Sequence, residues 1–283
     1  MAEDGAAGRR PRRGCLPTEL PNALEHVDDL AGAEGSRSLA VFLDYDGTLT
    51  PIVPNPDDAV LSESMRETIE QLAKRCTVAV ISGRDLQDVR GKVGVDGIAY
   101  AGSHGFDIHY TALHQVGAGP DFGTRYLPAL DRAEEKLRKS TAEIPGAAVE
   151  RKRFAVAVHY RASAEEDEPR VEEAIDEVAA SEPQLRRTGG KKVFELRPNV
   201  DWDKGSALIH LMEALGAQSD TVPVFIGDDV TDEDAFDAIH DSGIGVIVGD
   251  HGSATSARYR LNDTRETEQL LRELARRLEP PRT

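Results

Sequence analysis

Two cysteines in 283 residues leave no disulfide framework, so a stapled secreted scaffold is excluded and a reducing cytoplasm is the default compartment. Cys15 lies in a polar N-terminal stretch. Cys76 opens an apolar run and reads as a small buried hydrophobe rather than a reactive thiol. No apolar run is long enough to cross a bilayer, and Arg9, Arg10, Arg12 and Arg13 are not followed by the hydrophobic stretch of a secretory leader. Internal repeats are absent. Positive charge is scarce too: the formal net charge of −17 argues against nucleic acid or an anionic membrane as partner. With 39% hydrophobic residues, the chain reads as soluble and globular, with room for one large or two small domains.

The acidity is uneven. Residues 109–198 hold 15 basic and 16 acidic side chains, a net of −1, so −16 falls on the remainder. An anionic ligand is therefore better received by the middle of the chain. At the acidic ends, metal ions and a few aimed lysines would have to handle it.

Residues 1–36 are rich in Gly, Ala, Arg, Pro and acids and read as a partly disordered tail, with a short amphipathic helix over 16–30. From residue 37 strands and helices alternate: strand 39–43, helix 63–74, strand 77–81, a short helix from Asp85, strand 98–101. Leu61, Met65, Ile69 and Leu72 recur at helical spacing, and Ser64 with Glu67 fits a capping box. This alternation predicts βαβ units on a parallel sheet. Between 109 and 198 the pattern changes to helix 126–143, strand 154–160, helix 170–180 and strand 192–196, a small α+β insert with an antiparallel sheet. The βαβ pattern then returns, with helix 204–215, strand 222–226, helix 233–240, strand 245–248 and a last helix over 266–278. The organisation expected is thus a core made of 37–108 and 199–283 with an inserted cap of 109–198, and a cleft for a small molecule.

Two aspartate clusters follow apolar runs directly: Asp44-Tyr45-Asp46-Gly47-Thr48 after Leu39–Leu43, and Gly227-Asp228-Asp229-Val230-Thr231-Asp232 after Val222–Ile226. Carboxylates at the ends of buried parallel strands sit where open α/β sheets bind ligands. Gathered in one place they repel unless a divalent cation joins them, and hard oxygen donors suit Mg²⁺. Asp44 and Asp46, two apart past a strand end, can divide the labour of attacking a phosphorus atom and moving a proton to and from the leaving oxygen. Gly47 allows a tight turn, and Thr48 can orient a neighbour. Ser82-Gly83-Arg84 ends the second strand. Ser82 and the amide of Gly83 can donate to a phosphoryl oxygen, though a serine there also serves to cap the next helix. Lys204 opens a helix against the dipole preference, which nearby carboxylates or an anion would justify. Asp228 is a candidate metal carboxylate; Asp232 and Asp229 would hold a metal-bound water or Lys204. With six acids in 228–237, some are solvated helix-start residues.

These residues, Asp44-x-Asp46-Gly47-Thr48, Ser82, Lys204 and Gly227-Asp228-Asp229-x-x-Asp232, resemble the four ordered motifs of the haloacid dehalogenase (HAD) superfamily. The resemblance implies an α/β, Rossmann-like core with a parallel sheet and an inserted C2-type cap. It implies Mg²⁺-dependent phosphoryl transfer with Asp44 as nucleophile and Asp46 as general acid and base. The metal would be held by Asp44, the backbone carbonyl of Asp46 and Asp228. Mg²⁺, Lys204 and Ser82 would then stabilise the charge that spreads over the transferred phosphoryl group.

Strand parity in the insert puts Lys191, Val193 and Glu195 on one face and Phe194 and Leu196 on the other. Glu150 and Lys152 share a parity that Arg161 does not, so either a bend intervenes or Arg161 lies past a strand end. These charges also fit simple cross-strand pairs on a solvated face. With Ser82-Gly83-Arg84, Gly102-Ser103-His104-Gly105, Glu150-x-Lys152, His159-Tyr160-Arg161, Glu195-Leu196-Arg197-Pro198 and the run Gly227–Phe236, the segments are similar to trehalose-6-phosphate phosphatases. That similarity implies hydrolysis of trehalose 6-phosphate to trehalose and phosphate, in trehalose biosynthesis. No synthase-like stretch precedes the motifs, so a free-standing monomer is expected, with a partner synthase left open. It also implies that Glu150, Lys152, Arg161, Lys191 and Glu195 bind the sugar, with Arg84 and His104 at the pocket's border. The rival readings are a phosphatase for sucrose phosphate or a mannosyl compound, a phosphomutase, and a catalytically silent sugar-phosphate sensor. A sensor is expected to have lost Asp44, Asp46 or Lys204.

Overall fold

A computed structural model describes residues 14–31, 38–112, 115–118, 123–190, 192–217 and 220–278. Lys191 lies outside them. The chain divides into two compact units, Met1–Val80 with Lys204–Thr283, and Ile81–Asp203. In chain order the first unit begins with helix α1 (Val27–Ala31), strand β1 (Leu39–Leu43), helix α2 (Glu63–Ala73) and strand β2 (Thr77–Ile81). The second unit holds α3 (Leu86–Val93), β3 (Ala99–Gly102), β4 (Asp107–Ala112), β5 (Gln115–Ala118), α4 (Leu127–Ser140), β6 (Ala148–Lys152), β7 (Ala155–His159), α5 (Glu168–Ser181), β8 (Leu185–Gly190) and β9 (Val193–Pro198). The first unit resumes with α6 (Lys204–Ala214), β10 (Val222–Gly227), α7 (Glu233–Ala238), β11 (Ile244–Val248), β12 (Tyr259–Leu261) and α8 (Thr264–Arg277).

In the first unit, the strands lie in the order β12–β11–β10–β1–β2, all parallel. Parallel strands have both faces covered, and β1 and β11 accordingly read as unbroken apolar runs, buried along their whole length. The chain leaves β1 toward β2 on one side, while β10 leads to β11 and β12 on the other. This reversal of strand order is where open α/β sheets form their crevice. The register Leu43↔Ile226 brings the ends of β1 and β10 level, so Asp44 and Asp228 each follow the end of one of two neighbouring strands.

Local chemistry starts the helices. Ser62, with extended backbone, caps α2 by accepting from Met65 N at 3.2 Å, and Met65, Ile69 and Leu72 form the buried stripe. The capping box expected on Ser64 and Glu67 does not form, because Ser64 is already inside the helix; its Oγ donates to Glu268 Oε2 at 3.2 Å. Residues 14–31, read from the sequence as part of a tail, pack on the unit's own elements. Arg260 N donates to Pro21 O at 3.0 Å, Asn22 Nδ2 to Glu266 Oε2 at 3.0 Å, and Val27 and Leu30 are buried. The predicted single helix over 16–30 is instead two 3₁₀ turns, Pro17–Glu19 and Ala23–His26, followed by α1. Cys76 is half-buried, and burial pushes its thiol up to about 12, in keeping with an inert residue.

The second unit contains two antiparallel arrangements. Strands β3, β4 and β5 form one; β6–β7–β9–β8 form a four-stranded sheet. Its apolar face, with Val156, Val158 and Leu196, packs on Leu130 and Leu137 of α4 and Val171 and Ile175 of α5. The antiparallel insert expected from the sequence is therefore present. Position 109, taken there as its beginning, lies inside β4 and pairs with Tyr100.

Candidate active site

The acidic cluster is built at the ends of β1 and β10. Asp44 N donates to Ile226 O at 2.9 Å, extending the sheet by one bond and fixing the Asp44 backbone. Lys204, the first residue of α6, reaches in and donates from Nζ to Asp44 Oδ1 at 2.7 Å and to Asp232 Oδ1 at 2.5 Å. All three side chains are nearly inaccessible to water, at 3%, 7% and 0% relative exposure for Lys204, Asp44 and Asp232. The other oxygen of Asp232 accepts the amides of Asp228 and Asp229, each at 2.9 Å. Asp232 thus holds the lysine with one oxygen and shapes the loop bearing Asp228 with the other.

Carboxylate oxygens of Asp44, Asp228 and Asp232 can lie within 4.8 Å of one another. Burial pushes the Asp44 carboxyl up, against the pull of Lys204. Burial, with Asp44 and Asp232 adding repulsion, pushes Asp228 up as well. Burial works against the Lys204 ammonium, but Asp232 and Asp44 outweigh it and raise its pKa, so the lysine is firmly charged. One ammonium does not neutralise three carboxylates. The all-oxygen donor set therefore fits a hard divalent cation.

Gly47 makes the close approach possible. Its φ is +83°, and a Cβ there would stand 2.0 Å from Asp228 Oδ2. A cavity of about 530 Å³ with Gly47, Asp228 and Asp250 on its wall opens beside the cluster. Asp46 is half-buried in the same turn, where Gly47 N donates to Thr50 O at 2.7 Å. Thr48 is fully buried, and its Oγ1 has no hydrogen-bond partner among the described residues; the fold does not bring it to a surface a substrate can reach. Asp229 is exposed and uses its carboxylate on Val230 N at 2.6 Å, as the cap of the following turn, so it stands outside the three-carboxylate group.

In the second unit, Ser82 is buried and its Oγ accepts from Arg84 N at 3.2 Å, while Arg84 Nη1 bonds Asp88 Oδ2 at 2.8 Å on α3. The helix-cap alternative for Ser82 is not realised, since Asp85 occupies the position before α3. His104 takes a left-handed backbone, φ 56°, and its ring lies over Gly83: a Cβ on Gly83 would be 2.7 Å from His104 Nε2.

The parity argument for the insert holds where it can be checked. Glu150, Ala157 and Glu195 are register partners across β6, β7 and β9, and Phe194 and Leu196 face the helices. Lys152 Nζ donates to Glu195 Oε1 at 2.6 Å, and His159 Nε2 lies 2.7 Å from Glu150 Oε2. Glu195 is only 6% exposed. Burial works to raise its pKa, but Arg197, Lys152 and His104 prevail and hold it far below the usual carboxylate range. The difficulty with Arg161 is resolved by strand ends: Glu150 and Lys152 lie on β6, β7 stops at His159, and Arg161 is two residues beyond, exposed. Arg197 received no role from the sequence. Its Nε donates to Glu195 Oε2 at 2.8 Å, a contact that their two-residue spacing on one strand face foreshadows.

A family model described as trehalose-phosphatase matches residues 42–265. The trehalose-phosphate phosphatase of Mycobacterium bovis is 42% identical over 268 residues, covering 92% of this chain and 67% of its own length. A solved trehalose-6-phosphate phosphatase related protein superposes with a TM-score of 0.72 at 28% identity, over 84% of this chain and 97% of that one. The C-terminal domain of the Candida albicans trehalose-6-phosphate phosphatase shares the fold, with a TM-score of 0.76 at 23% identity over 92% and 100% of the two chains. The architecture expected from the ordered motifs is thereby matched by solved trehalose-phosphatase folds, and the chain belongs to the trehalose-phosphatase family.

Proposed function

We propose that this protein hydrolyses trehalose 6-phosphate to trehalose and phosphate through an aspartyl-phosphate. The observation that carries the reading is the buried bridge of Lys204 between Asp44 and Asp232, set beside Asp228. Membership of the trehalose-phosphatase family supports the choice of substrate.

Asp44 Oδ1 is engaged by Lys204, which leaves Oδ2 to attack phosphorus. The bond from phosphorus to the sugar oxygen breaks, and Asp46 protonates that oxygen as it leaves. Water then attacks the phosphoryl group, Asp46 takes a proton from the water, and the Asp44–phosphorus bond breaks to release phosphate. Lys204 keeps positive charge where the phosphoryl oxygens gain negative charge. Mg²⁺ would be held by Asp44, Asp228 and the backbone carbonyl of Asp46, and when bound it supplies Lewis-acid stabilisation of the phosphoryl oxygens. Asp232 serves by holding Lys204 and the Asp228 loop.

Sugar recognition falls to the polar face of the second unit. Glu150, Lys152, Glu195 and Arg161, with Lys191, His104 and Arg84, supply the mixture of donors and acceptors that a disaccharide's hydroxyls require. Ser82 and the amide of Gly83 assist the phosphoryl end. Asp44, Asp46 and Lys204 are all present, which favours a catalyst over a silent sensor. No helix among the described residues is long and apolar enough to cross a membrane.

The test is phosphate release from trehalose 6-phosphate, sucrose 6-phosphate and glucose 6-phosphate, with and without Mg²⁺. Trehalose 6-phosphate is expected to be hydrolysed best and only with the metal. Preference for another sugar phosphate would transfer the assignment to that substrate, and no release from any would leave the sensor.

A further inference from the structure

Asp85 sits at the residue before α3, with the extended backbone of a helix cap, φ −60° and ψ 147°. An aspartate there normally accepts an amide of its own helix. This one does not: its side chain makes no capping bond. Its oxygens are turned to two other elements of the second unit. Oδ1 accepts from Ser103 Oγ at 3.0 Å and from Arg153 N at 3.1 Å, and Oδ2 lies 3.2 Å from the same Arg153 amide.

Both elements lead to residues of the recognition face. Ser103 and His104 are consecutive non-glycine residues with left-handed backbone, φ 49° and 56°. That conformation is unfavourable for side-chain-bearing residues and persists only where the surroundings hold it. Here Ser103 N donates to Arg84 O at 2.7 Å, His104 N to Ser82 O at 2.9 Å, and Asp85 holds the Ser103 hydroxyl. Arg153 forms the turn between β6 and β7 and is joined covalently to Lys152, whose ammonium grips Glu195. The turn is held a second time by Arg153 Nη1 on Asp107 Oδ2 at 2.6 Å and by the buried rings of Phe106 and Phe154, 6.2 Å apart. One carboxylate thus connects the His104 loop with the Lys152 hairpin, and the charges of His104 and Lys152 both act on Glu195.

We propose that Asp85 is a positioning residue for substrate recognition, setting His104 and Lys152 in register with Glu195 by bonding Ser103 and the Arg153 amide at once. The proposal rests on the reading of this chain as a sugar-phosphate phosphatase. Asp85 is not one of the three grouped carboxylates, so its loss affects how the sugar is held and not the chemistry of the phosphoryl group.

The experiment compares wild type with Asp85→Ala, Asp85→Asn and Ser103→Ala on two substrates: trehalose 6-phosphate, and p-nitrophenyl phosphate, which has no sugar. If wild type prefers another sugar phosphate, the first arm uses that ester, so failure of the substrate assignment is seen in the wild type alone. Asp85→Ala is expected to raise KM for the sugar phosphate about tenfold, with kcat within about threefold and p-nitrophenyl phosphate turnover unchanged. Asp85→Asn is expected to restore most of the loss, because its Oδ1 still accepts from both Ser103 and Arg153. Ser103→Ala keeps the test alive if Asp85→Ala does not fold, and is expected to raise KM about threefold. An unchanged KM, or equal losses on both substrates, would overturn the proposal and leave Asp85 a purely structural residue.

Discussion

Lys204 and Asp44, 160 positions apart in the chain, meet in a buried ion pair of 2.7 Å. The lysine is placed by the start of α6 and the aspartate by the end of β1. The unusual position of a lysine at a helix N-terminus thereby acquires its reason, since Asp44 and Asp232 together outweigh the unfavourable helix field.

Lys204→Ala is expected to lower turnover by at least about 100-fold, the scale on which removal of one electrostatic donor acts. All three partners are buried, so two carboxylates lose the ammonium that bridges them, and about 3 kcal/mol of stability should go with it. Urea unfolding alongside phosphate release measures both. Unchanged turnover in folded protein would remove the lysine from the mechanism.

Asp44→Asn should abolish turnover and leave the fold intact. The amide oxygen can still accept from Lys204, and one negative charge is withdrawn from a group in which Asp232 and Asp46 repel Asp44. Stability should change by less than about 1 kcal/mol. A grossly unfolded variant would make Asp44 a structural residue instead.

The acidic cluster was legible because parallel strands announce their ends. An apolar run followed by Asp, twice, locates a sheet edge without any knowledge of long-range pairing. The roles of individual acids were less legible. Asp229 and Asp232 look alike in sequence, yet one caps an exposed turn and the other is wholly buried under Lys204. Burial is a property of the folded neighbourhood, which adjacent carboxylates do not encode. Strand β8 escaped because Leu-Arg-Arg-Thr-Gly-Gly has neither alternation nor β-branched density, and its pairing with β9 supplies what local preference does not. Strand β12 has only three residues, too few for a period. Ser62 was passed over as the cap of α2 in favour of Ser64, two residues along, a typical error in locating helix ends.

Metal binding should be visible without any substrate. Protein freed of cations with EDTA is expected to melt at a higher temperature when Mg²⁺ is added. At a hundredfold excess over Kd the linkage is worth about 2.7 kcal/mol, a shift of a few degrees. Asp228→Asn should abolish the shift. Gly47→Ala should weaken it, because the new Cβ is directed at Asp228 Oδ2 from 2.0 Å. A melting temperature indifferent to Mg²⁺ in the parent protein would count against a resident metal.

The second unit should lose stability in acid through Glu182. This side chain, 6% exposed, bonds Arg132 Nη2 and Lys136 Nζ, each at 2.8 Å, and so ties the end of α5 to α4. Hydrogen bonds from Arg132 and Lys136, against the opposing effect of burial, bring its carboxyl down from 4.5 to about 2. A carboxyl depressed by folding contributes stability that is fully present above the unfolded value and is lost as protons return. The contribution is therefore complete above about pH 4.5 and fades as the pH falls toward about 2. Glu182→Gln should lower the melting temperature by a few degrees at pH 7, where the parent carboxylate is ionised. The difference between the two proteins should narrow steadily through the acid window. Melting curves recorded from pH 7 down to the acid limit of solubility measure this, and a gap that stays constant with pH would show that the two cations do not stabilise the fold through this carboxylate.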